Sequence, residues 1–209
     1  KSLRPVSCCL IAFQFATSRR IHDEAANIQW TWLRNGENPR LVLPKTKTSS
    51  KQKKPVLSFG LGALAMDILS TIRKEKLHED SAFYFPPGDE RNKYVFPSKD
   101  YGRITGPNAK PSKTLYVQDV RVTFKKLLAM IGITKHYKNY VTRHTVASST
   151  LKESGNLKLV AKVLGVSIGT AAKYAKVQHD EEREVINKIF AKRNKENYLF
   201  QSKEQEIWR

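Results

Sequence analysis

Cysteine is scarce in this sequence: only Cys8 and Cys9 occur among 209 residues, and the two are adjacent within an apolar run. Adjacent cysteines fit neither a disulfide framework nor the ligand spacing of a metal site. Long apolar runs are also missing, because no stretch approaches the ~18 consecutive apolar residues of a membrane span, and the first residues lack the layout of a signal peptide. We therefore expect an intracellular protein without disulfides, bound metal or a membrane segment.

Acidic residues are few compared with basic ones. The chain has 38 Lys and Arg against 19 Asp and Glu, which leaves a formal net charge of +19. A polyanionic partner is the simplest explanation for such a charge. The hydrophobic fraction of 40% is ordinary for a globular protein, so we expect a buried core beneath a basic surface and not a disordered basic tail.

The length fits one packed domain followed by a short extension. We predict a single domain over residues 1–178 and a helical tail over residues 179–209. The tail has an apolar stripe on an otherwise charged helix, formed by Val185, Ile189 and Phe190. Such a stripe needs a partner surface. Because the sequence does not begin with methionine, we also expect it to be part of a longer protein.

The first half of the domain predicts three helices. Dense apolar residues over 6–15 give way at Thr17 and Ser18, both good helix N-caps, to a second predicted helix over residues 21–30. One face of that helix collects apolar side chains, namely Ile21, Ala25 and Ile28. A third helix is predicted over residues 61–74 from apolar residues at helical spacing.

A β-hairpin with a basic tip is predicted between the second and third helices. Residues 41–43 and 56–58 have the composition of short strands, and the segment between them, residues 45–54, is polar and strongly cationic. Residues 79–112 hold most of the prolines and several glycines, so they are predicted to be mainly loop, tethered by aromatic side chains.

The C-terminal third of the domain is predicted to be helical. Glycines close two of its helices, and Ser167 caps the last one. The predicted elements are helices over residues 117–130, 142–153 and 157–164, and a short helix that follows Ser167. Together with the hairpin, they predict an α+β fold that is mainly helical and has a small antiparallel sheet.

Two polar motifs lie within these C-terminal helices. The segment Tyr-Val-Thr-Arg-His-Thr, which starts at Tyr140, places Arg143 and His144 at a helix start. Downstream, Leu-Gly-Val-Ser at residues 164–167 precedes a helix that ends in Tyr174. This order resembles the signature of tyrosine recombinases, the phage integrase family, in which an Arg-His-Thr helix start precedes a Leu-Gly-His-Ser turn and a helix ending in a nucleophilic tyrosine. The spacing of these residues agrees with that signature, and so do the residues that begin and end the helices.

The resemblance continues upstream, in the segment Thr-Ser-Arg-Arg-Ile-His-Asp-Glu at residues 17–24. It is similar to the family's first box, where a Thr-Gly-x-Arg turn carries the first catalytic arginine and an acidic residue follows. Arg20 matches that arginine. The distance from Arg20 to Trp30 is one residue longer than the usual pattern, so either Asp23 or Glu24 can be the acidic partner.

The predicted hairpin is similar to the family's β-hairpin, whose lysine reaches the scissile site. Lys47 matches that lysine better than Lys45 does, although both remain candidates. Farther along the tip, Lys51, Lys53 and Lys54 suit contacts with DNA phosphates, which give affinity without sequence choice. A merely solvated tip is the alternative interpretation of these lysines.

The resemblance implies a division of roles that agrees with the chemistry of phosphoryl transfer. Arg20 and Arg143 would clamp the scissile phosphate, because guanidinium groups bind it bidentately and stay charged. Tyr174 would be the nucleophile, and neighbouring cations would favour its phenolate. Lys47 would be the general acid that protonates the departing 5′-oxygen. No metal or other cofactor is implied, and the sequence has no carboxylate cluster of the two-metal kind.

Three further features concern the strength of catalysis. His144 follows the second arginine, and it can bond the phosphate or simply pack its helix. Tyr140 stands where the family has His or Lys, and tyrosine is a poor general base at neutral pH. Val166 stands where the family has His or Trp and cannot donate a hydrogen bond to phosphate. The loop from Val166 to Tyr174 is also one residue shorter than is common.

The implied function is site-specific recombination of duplex DNA, for integration or excision of a mobile element. Two alternatives stay open: a catalytically weakened DNA-binding relative, and a DNA-relaxing activity like that of type IB topoisomerases. The resemblance implies the recombinase catalytic-domain fold, a homotetramer on paired attachment sites, accessory DNA-bending or directionality proteins, and a tail that packs on a neighbouring protomer. The expected setting is the cytoplasm, at the nucleoid, of a prokaryote or in a phage-encoded system.

Overall fold

The computed structural model of the chain describes residues 3–44, 57–104, 109–135, 137–138 and 140–174. Its elements are, in chain order, α1 (Pro5–Thr17), a π-helical turn (Ile21–Ala25), a 3₁₀ turn (Trp30–Trp32), β1 (Leu33–Arg34), β2 (Arg40–Leu43), β3 (Leu57–Gly60), α2 (Ala63–Glu75), a 3₁₀ turn (Glu90–Lys93), α3 (Arg121–Met130), α4 (Val141–Ser154), α5 (Leu157–Leu164), α6 (Ile168–Ala171) and a 3₁₀ turn (Ala172–Tyr174).

α1 is apolar on almost every side and lies within the main hydrophobic core. Pro5 begins the helix, at a position where its missing N–H leaves no hydrogen bond unmade. Leu10 and Phe13 are fully buried, and the Phe13 ring lies 5.5 Å from the ring of Phe96, centroid to centroid. A helix without a polar face is stable only when other elements surround it. α1 is therefore the element around which the first half of the chain packs.

Thr17 and Ser18 end α1 and do not cap a following helix, so this part of the prediction is wrong. The Thr17 hydroxyl donates to the Phe13 carbonyl at 2.7 Å, which keeps Thr17 within the last turn. Ser18 then adopts a left-handed conformation with φ of 57°. Its N–H donates to the Gln14 carbonyl, as in the usual termination of a helix by one left-handed residue.

The predicted helix over residues 21–30 is wrong in length, because only Ile21–Ala25 is helical, as one π turn. The apolar side chains predicted to share a face are nevertheless buried, namely Ile21, Ala25 and Ile28. The helix stops where the chain pairs with a distant segment, since the Ile28 carbonyl accepts a hydrogen bond from the Val95 N–H at 2.9 Å. Tertiary pairing here overrides a local helical pattern.

Three antiparallel strands form the sheet, in the order β1-β2-β3. The predicted hairpin is confirmed, with β2 and β3 paired so that Leu43 lies opposite Leu57. β1 adds Leu33 opposite Leu41, and a strand of two residues is too short to show the alternation by which strands are predicted. Leu41 and Leu43 are buried, so this face of β2 covers the main core.

The prediction of mainly loop for residues 79–112 is confirmed, with one 3₁₀ turn, Glu90–Lys93, in the described part of this stretch. Buried aromatic side chains tether it, since Phe83, Phe85 and Phe96 expose 8% or less. α3, which follows, begins later than predicted and buries Phe124.

The predicted helices of the C-terminal third are confirmed as α4, α5 and α6. Gly155 and Gly165 close α4 and α5 in left-handed conformations, with φ of 60° and 63°. Ser167 caps α6 and accepts a hydrogen bond from the Thr170 N–H. These helices and the final 3₁₀ turn, residues 141–174, are called the C-terminal module below. The module has its own small hydrophobic cluster, formed by Ala147, Val160, Ala161, Leu164 and Ala171.

The predicted fold class, α+β and mainly helical with a small antiparallel sheet, is confirmed. Within the described ranges, no helix is long and apolar enough to cross a membrane. The predicted domain boundary between residues 178 and 179, and the tail that follows it, lie outside the described residues and stay predictions.

Candidate active site

The turn after α1 brings the first candidate arginine to the site. Ser18 occupies the left-handed position where the Thr-Gly-x-Arg pattern has glycine. Its hydroxyl is buried and has no hydrogen-bond partner within the part of the chain that the structure describes. The turn reverses the chain directly before Arg20, whose side chain is 30% exposed. A left-handed turn thus places a partly exposed guanidinium beside the end of a buried helix.

Replacement of Ser18 by glycine is expected to stabilise the protein by about 0.5–1 kcal/mol, because the left-handed conformation costs an L-residue more than the extra chain entropy of glycine does. Urea unfolding of the two proteins measures the difference. Ser18→Ala is the matched control, since it removes the unpartnered hydroxyl and keeps the left-handed strain. A glycine variant less stable than the alanine variant would contradict the interpretation.

The π turn determines which acidic residue accompanies Arg20. A π turn accommodates one residue more than an α-helical turn, in agreement with the extra residue between Arg20 and Trp30. Glu24 is buried, and its carboxylate accepts hydrogen bonds from the Arg20 backbone N–H at 3.1 Å and from Arg20 Nη1 at 3.3 Å. Of the two candidates left open by the sequence, Glu24 is the one whose side chain the structure describes, and it contacts Arg20. Its hydrogen bond with Nη1 orients the guanidinium.

The second candidate arginine faces inward. Arg143 lies in the first turn of α4 and is 1% exposed. Its Nη1 donates to the carbonyl of Ser18, and its Nη2 donates to the carbonyl of Leu164. Its Nε is buried without a partner among the described residues. Arg143 therefore joins the turn before Arg20 to the end of α5, and each of its two terminal nitrogens donates a hydrogen bond to one backbone carbonyl.

Three aromatic side chains lie together beside the arginines. The His144 ring lies between two tyrosine rings, 4.9 Å from Tyr140 and 5.3 Å from Tyr174, centroid to centroid. Tyr140 directly precedes α4, whereas Tyr174 ends the last 3₁₀ turn. The fold thus brings the two ends of the C-terminal module into one cluster.

Opposing influences act on the Tyr174 phenol. Partial burial raises its pKa above the ordinary value of a tyrosine, and both the nearby Tyr140 ring and a hydrogen bond with the Tyr140 hydroxyl raise it further. The positive charges of Arg143 and Arg20 lower the pKa. The net shift is upward, so the phenol is protonated at neutral pH.

The described candidate residues lie in one site, namely Arg20, Tyr140, Arg143, His144 and Tyr174.

The Leu-Gly-Val-Ser turn keeps its shape although Val166 replaces a hydrogen-bonding residue. Val166 is half-buried against the small cluster of the C-terminal module, and its N–H donates to the Ala161 carbonyl at 3.0 Å. The loop that is one residue short ends in a tight 3₁₀ turn, Ala172–Tyr174. The valine at position 166 therefore removes one hydrogen-bond donor from the family's pattern and leaves the backbone turn intact.

Arg19 is a functional candidate that sequence reasoning missed. It is fully buried, and its guanidinium lies near that of Arg143, whose charge contributes to the lowered pKa of Arg19. Its signal in the sequence was weak: an arginine between a buried apolar helix and the apolar residues Ile21 and Ala25. From sequence alone such a residue is predicted to be a surface cation, because the turn at Ser18 is not visible in the sequence.

The lysines proposed for the hairpin lie outside the described residues, so their roles stay predictions: Lys45, Lys47, Lys51, Lys53 and Lys54. A cavity of about 560 Å³ lies elsewhere, between the start of α1 and the segments around Asp100 and Thr114, and none of the five described site residues lines it. Within the described ranges, no group of three or more His, Cys, Asp or Glu could hold a metal ion.

Comparison with known proteins identifies related sequences and folds. The model of the phage integrase family matches residues 2–181. No match was found among curated proteins. Among solved structures, the XerH site-specific recombinase bound to difH substrate is similar, with a TM-score of 0.60 and 14% identity over 86% of this chain and 46% of that one.

Two other solved structures have the same fold. The XerA recombinase aligns with a TM-score of 0.58 and 18% identity over 88% of this chain and 56% of that one. The Tn1549 transposon integrase in complex with circular intermediate DNA aligns with a TM-score of 0.55 and 14% identity over 87% of this chain and 57% of that one. This chain spans about half the length of these structures. Its fold is that of a tyrosine recombinase catalytic domain.

Proposed function

Since the chain belongs to the phage integrase family, we propose that it cuts and rejoins DNA strands through a covalent bond between Tyr174 and a 3′-phosphate. Family and fold support site-specific DNA recombination as the activity. One arrangement carries the finer proposal: the Tyr174 ring lies 5.3 Å from the ring of His144, the residue after Arg143, and Arg143 donates to the carbonyl of Ser18, two residues before Arg20. The positive charges of both arginines oppose the rise in the pKa of Tyr174. A phenol and two guanidiniums are the groups that a metal-independent attack on phosphate needs.

In the proposed reaction, the Tyr174 oxygen attacks phosphorus and the 5′-oxygen of the next nucleotide leaves. The phenol loses its proton in this step, and the departing 5′-oxygen gains one. Because phenolate is itself a good leaving group, the phosphotyrosyl bond conserves the energy of the broken strand. A 5′-hydroxyl from another strand then attacks the phosphotyrosine, releases Tyr174 and rejoins the DNA without a further energy source.

The two arginines would hold the non-bridging oxygens of the scissile phosphate. Arg20 is ready for this role, because it is partly exposed and Glu24 fixes its orientation. Arg143 would bind the phosphate through donors that its present contacts leave over, since Nη1 and Nη2 each bond one backbone carbonyl, those of Ser18 and Leu164, and Nε has no partner among the described residues. A guanidinium has five N–H donors, and a charged phosphate oxygen is a strong acceptor for them.

The general acid proposed for the leaving 5′-oxygen is Lys47, with Lys45 as the alternative. β2 and β3 are paired up to Leu43 and Leu57, and both lysines lie between these strands in the sequence. Lys45, Lys51, Lys53 and Lys54 would contact DNA phosphates on either side of the cleavage point. Such contacts add affinity and position the duplex without reading its sequence.

Tyr140 and His144 would act on the nucleophile and not on the phosphate alone. The ring of His144 packs between Tyr140 and Tyr174, and the Tyr140 hydroxyl forms a hydrogen bond with Tyr174. Tyr140 thereby orients the attacking oxygen. Because Tyr140 does not accept a proton readily near pH 7, we expect slow deprotonation of Tyr174 and a slow cleavage step.

Tyr140→His is expected to change the pH dependence of cleavage. In the unaltered protein, the pKa of Tyr174 is raised, so the rate should climb by about tenfold per pH unit from pH 6 to 9, in proportion to the phenolate. Histidine is a base above about pH 6.5, and the variant should therefore cleave faster near pH 7 and level off above it. Single-turnover rates on a nicked duplex provide the profile.

One control variant accompanies this profile. Tyr140→Phe removes the hydroxyl without adding a base, so its rate should rise with pH as steeply as that of the unaltered protein. Identical profiles for the histidine and phenylalanine variants would show that residue 140 takes no part in deprotonating Tyr174.

The proposal extends to partners and setting. We propose that the protein acts on duplex attachment sites as a homotetramer, for integration or excision of a mobile element, with accessory DNA-bending or directionality proteins. The tail over residues 179–209 would pack on a neighbouring protomer. The setting would be the cytoplasm, at the nucleoid, in a prokaryotic or phage-encoded system. The net charge of +19 supports binding to DNA.

The test is capture of the covalent intermediate. The protein is incubated with a nicked duplex that carries the attachment site, in the presence of EDTA, and a denaturing gel separates free protein from adduct. After nuclease digestion, mass spectrometry should find the nucleotide on the peptide that contains Tyr174. Adduct that disappears with EDTA would contradict the metal-independent mechanism, and adduct on another residue would contradict the assignment of the nucleophile.

A catalytically weakened DNA-binding protein is the second candidate function. It is favoured by the inward position of Arg143, whose amines are held by carbonyls, and by Val166 in place of a hydrogen-bonding residue. Binding to the attachment site without adduct would support this candidate. Relaxation of a supercoiled plasmid without recombinants would instead indicate an activity like that of type IB topoisomerases.

A further inference from the structure

Arg19 is a second buried arginine in the site, beside Arg20 in sequence but different in its surroundings. It is fully buried, and its three nitrogens are directed to three segments. Nε donates to the Thr17 carbonyl at 3.0 Å, Nη2 donates to the Val163 carbonyl, and Nη1 lies 3.8 Å from a carboxylate oxygen of Glu24. The guanidinium thus connects the end of α1, the π turn and the last turn of α5.

The flat face of the same guanidinium covers an aromatic ring of the sheet. The central carbon of Arg19 lies 4.3 Å from the centroid of the Phe59 ring in β3, within the range of a cation–π contact. β3 is the second strand of the predicted catalytic hairpin. Arg19 therefore contacts the π turn after Arg20, a strand of that hairpin and the C-terminal module.

Two arginines join the main core to the C-terminal module in a reciprocal arrangement. Arg19 follows the helix at the centre of the main core and reaches the carbonyl of Val163 in the module. Arg143 belongs to the module and reaches back to the carbonyl of Ser18. The hydrophobic cluster of the module is separate from the main core. Polar contacts through these two side chains consequently join the parts that carry Arg20 and Tyr174.

The carbonyls that the two arginines reach are ones that a helix leaves unpaired. Val163 and Leu164 are the last two residues of α5, and the final carbonyls of a helix have no intrahelical donor. A positive charge is also favourable at that end of a helix. Arg19 and Arg143 each take one of these neighbouring carbonyls, and in this way they fix the end of α5 from which the chain proceeds to Tyr174.

A cation in this position is not the arrangement that stability alone would favour. Burial lowers the pKa of Arg19 from the ordinary arginine value to about 10; Glu24 opposes this shift, while Arg143 and Arg20 add to it. A buried charge close to two others of the same sign is unfavourable, and well-packed apolar residues often serve stability better. The contacts of Arg19 are therefore better explained by the position that they impose on the C-terminal module.

We propose that Arg19 is a positioning residue, which holds the C-terminal module against the turn that carries Arg20 so that Tyr174 and both phosphate-binding arginines meet at one phosphate. This inference rests on the proposed function. Arg19 shares this task with Arg143, because each of them donates to a backbone carbonyl across the two parts. Arg19 differs from Arg143 in that it is not proposed to bind the phosphate.

The variant that tests this role is Arg19→Met in the full chain. Methionine keeps a long side chain over Phe59 but has no donor for Val163. We expect DNA affinity to change by less than about threefold, since Arg19 does not face the duplex. At saturating nicked duplex, the rate of adduct formation should fall by about 10²-fold, the effect of a small misplacement of reacting groups. Arg19→Lys, with one donor and a charge, should recover part of the rate.

Leu69→Ala is the matched control for loss of stability. Leu69 is buried in the main core and contributes no group to the site, so its variant is destabilised without misplacing Tyr174. Its adduct rate should stay within about threefold of the unaltered protein. A loss of rate in Leu69→Ala as large as in Arg19→Met would overturn the proposal, because any destabilisation would then be sufficient.

Amide hydrogen exchange without DNA provides a readout that does not depend on catalysis. Arg19→Met should speed exchange in residues 157–171 and leave α2 unchanged, whereas Leu69→Ala should do the reverse. Unchanged exchange in residues 157–171 of Arg19→Met would overturn the inference, whether or not the unaltered protein cleaves. If the unaltered protein forms no adduct, the proposed function is refuted and this role of Arg19 with it. If the unaltered protein and Arg19→Met form adduct at equal rates, only the inference about Arg19 is overturned.

Discussion

Tyr174→Phe is expected to abolish the covalent adduct, with a loss on the order of 10⁴-fold or more, because the removed oxygen is the atom that bonds to phosphorus. The ring remains, and it can keep its contact with His144, 5.3 Å away, so the fold and DNA affinity should be unchanged. The measurement is adduct formation on the nicked duplex beside a binding titration. Loss of binding together with the adduct would instead indicate a structural role.

Tyr140→Phe is the matched control for that experiment. It removes the other tyrosine hydroxyl of the same cluster, which forms a hydrogen bond with Tyr174 but is not proposed to attack phosphate. We expect this variant to form adduct at a reduced rate. Adduct formed by Tyr174→Phe and lost in Tyr140→Phe would reverse the two roles and make Tyr140 the nucleophile.

The C-terminal module was predictable because its signals are local. Gly155 and Gly165 take left-handed conformations that end α4 and α5, and Ser167 caps α6 through its own side chain. Each of these signals depends on residues within one or two turns of the helix that it limits. The order Arg143, Ser167, Tyr174 therefore placed the motif on the correct elements from sequence alone.

The segment after α1 was not predictable, because its local signals are ambiguous. Thr17 and Ser18 have side chains that suit either end of a helix, and hydrogen bonds to the preceding turn settle the choice. The π turn at Ile21–Ala25 absorbs one extra residue. The sequence revealed the extra residue as a spacing anomaly but could not show that Glu24 would be the partner of Arg20.

Site geometry was less predictable than the list of candidate residues. The sequence identified Arg20, Arg143 and Tyr174 as candidates, and the fold places Arg143 against the turn before Arg20 and Tyr174 beside His144. Sequence reasoning gave no indication that Arg143 would be 1% exposed or that Arg19 would be buried beside it. Burial of an arginine depends on carbonyls that the rest of the fold leaves unpaired at a helix end, and no local pattern encodes that geometry.

Arg143→Lys is expected to impair both cleavage and stability. The planar guanidinium reaches two carbonyls, those of Ser18 and Leu164, whereas a lysine ammonium is a point charge that cannot bridge them in the same geometry. We expect unfolding in urea to require about 2–3 kcal/mol less free energy, as for the loss of a charged hydrogen bond in the interior. Adduct formation should fall by about 10²–10³-fold, the usual effect of removing one donor from a phosphate-stabilising set.

Arg121→Lys is the control, because Arg121 is an exposed arginine of α3 whose side chain is 81% accessible and pairs with Asp119. It should change neither stability nor cleavage measurably. The two effects of Arg143→Lys are separable by adding a short duplex with an uncleavable phosphate. If Arg143 binds the phosphate, this duplex should stabilise the unaltered protein more than the lysine variant. Equal stabilisation would mean that Arg143 only joins the module to the turn, and that Arg20 alone binds the phosphate.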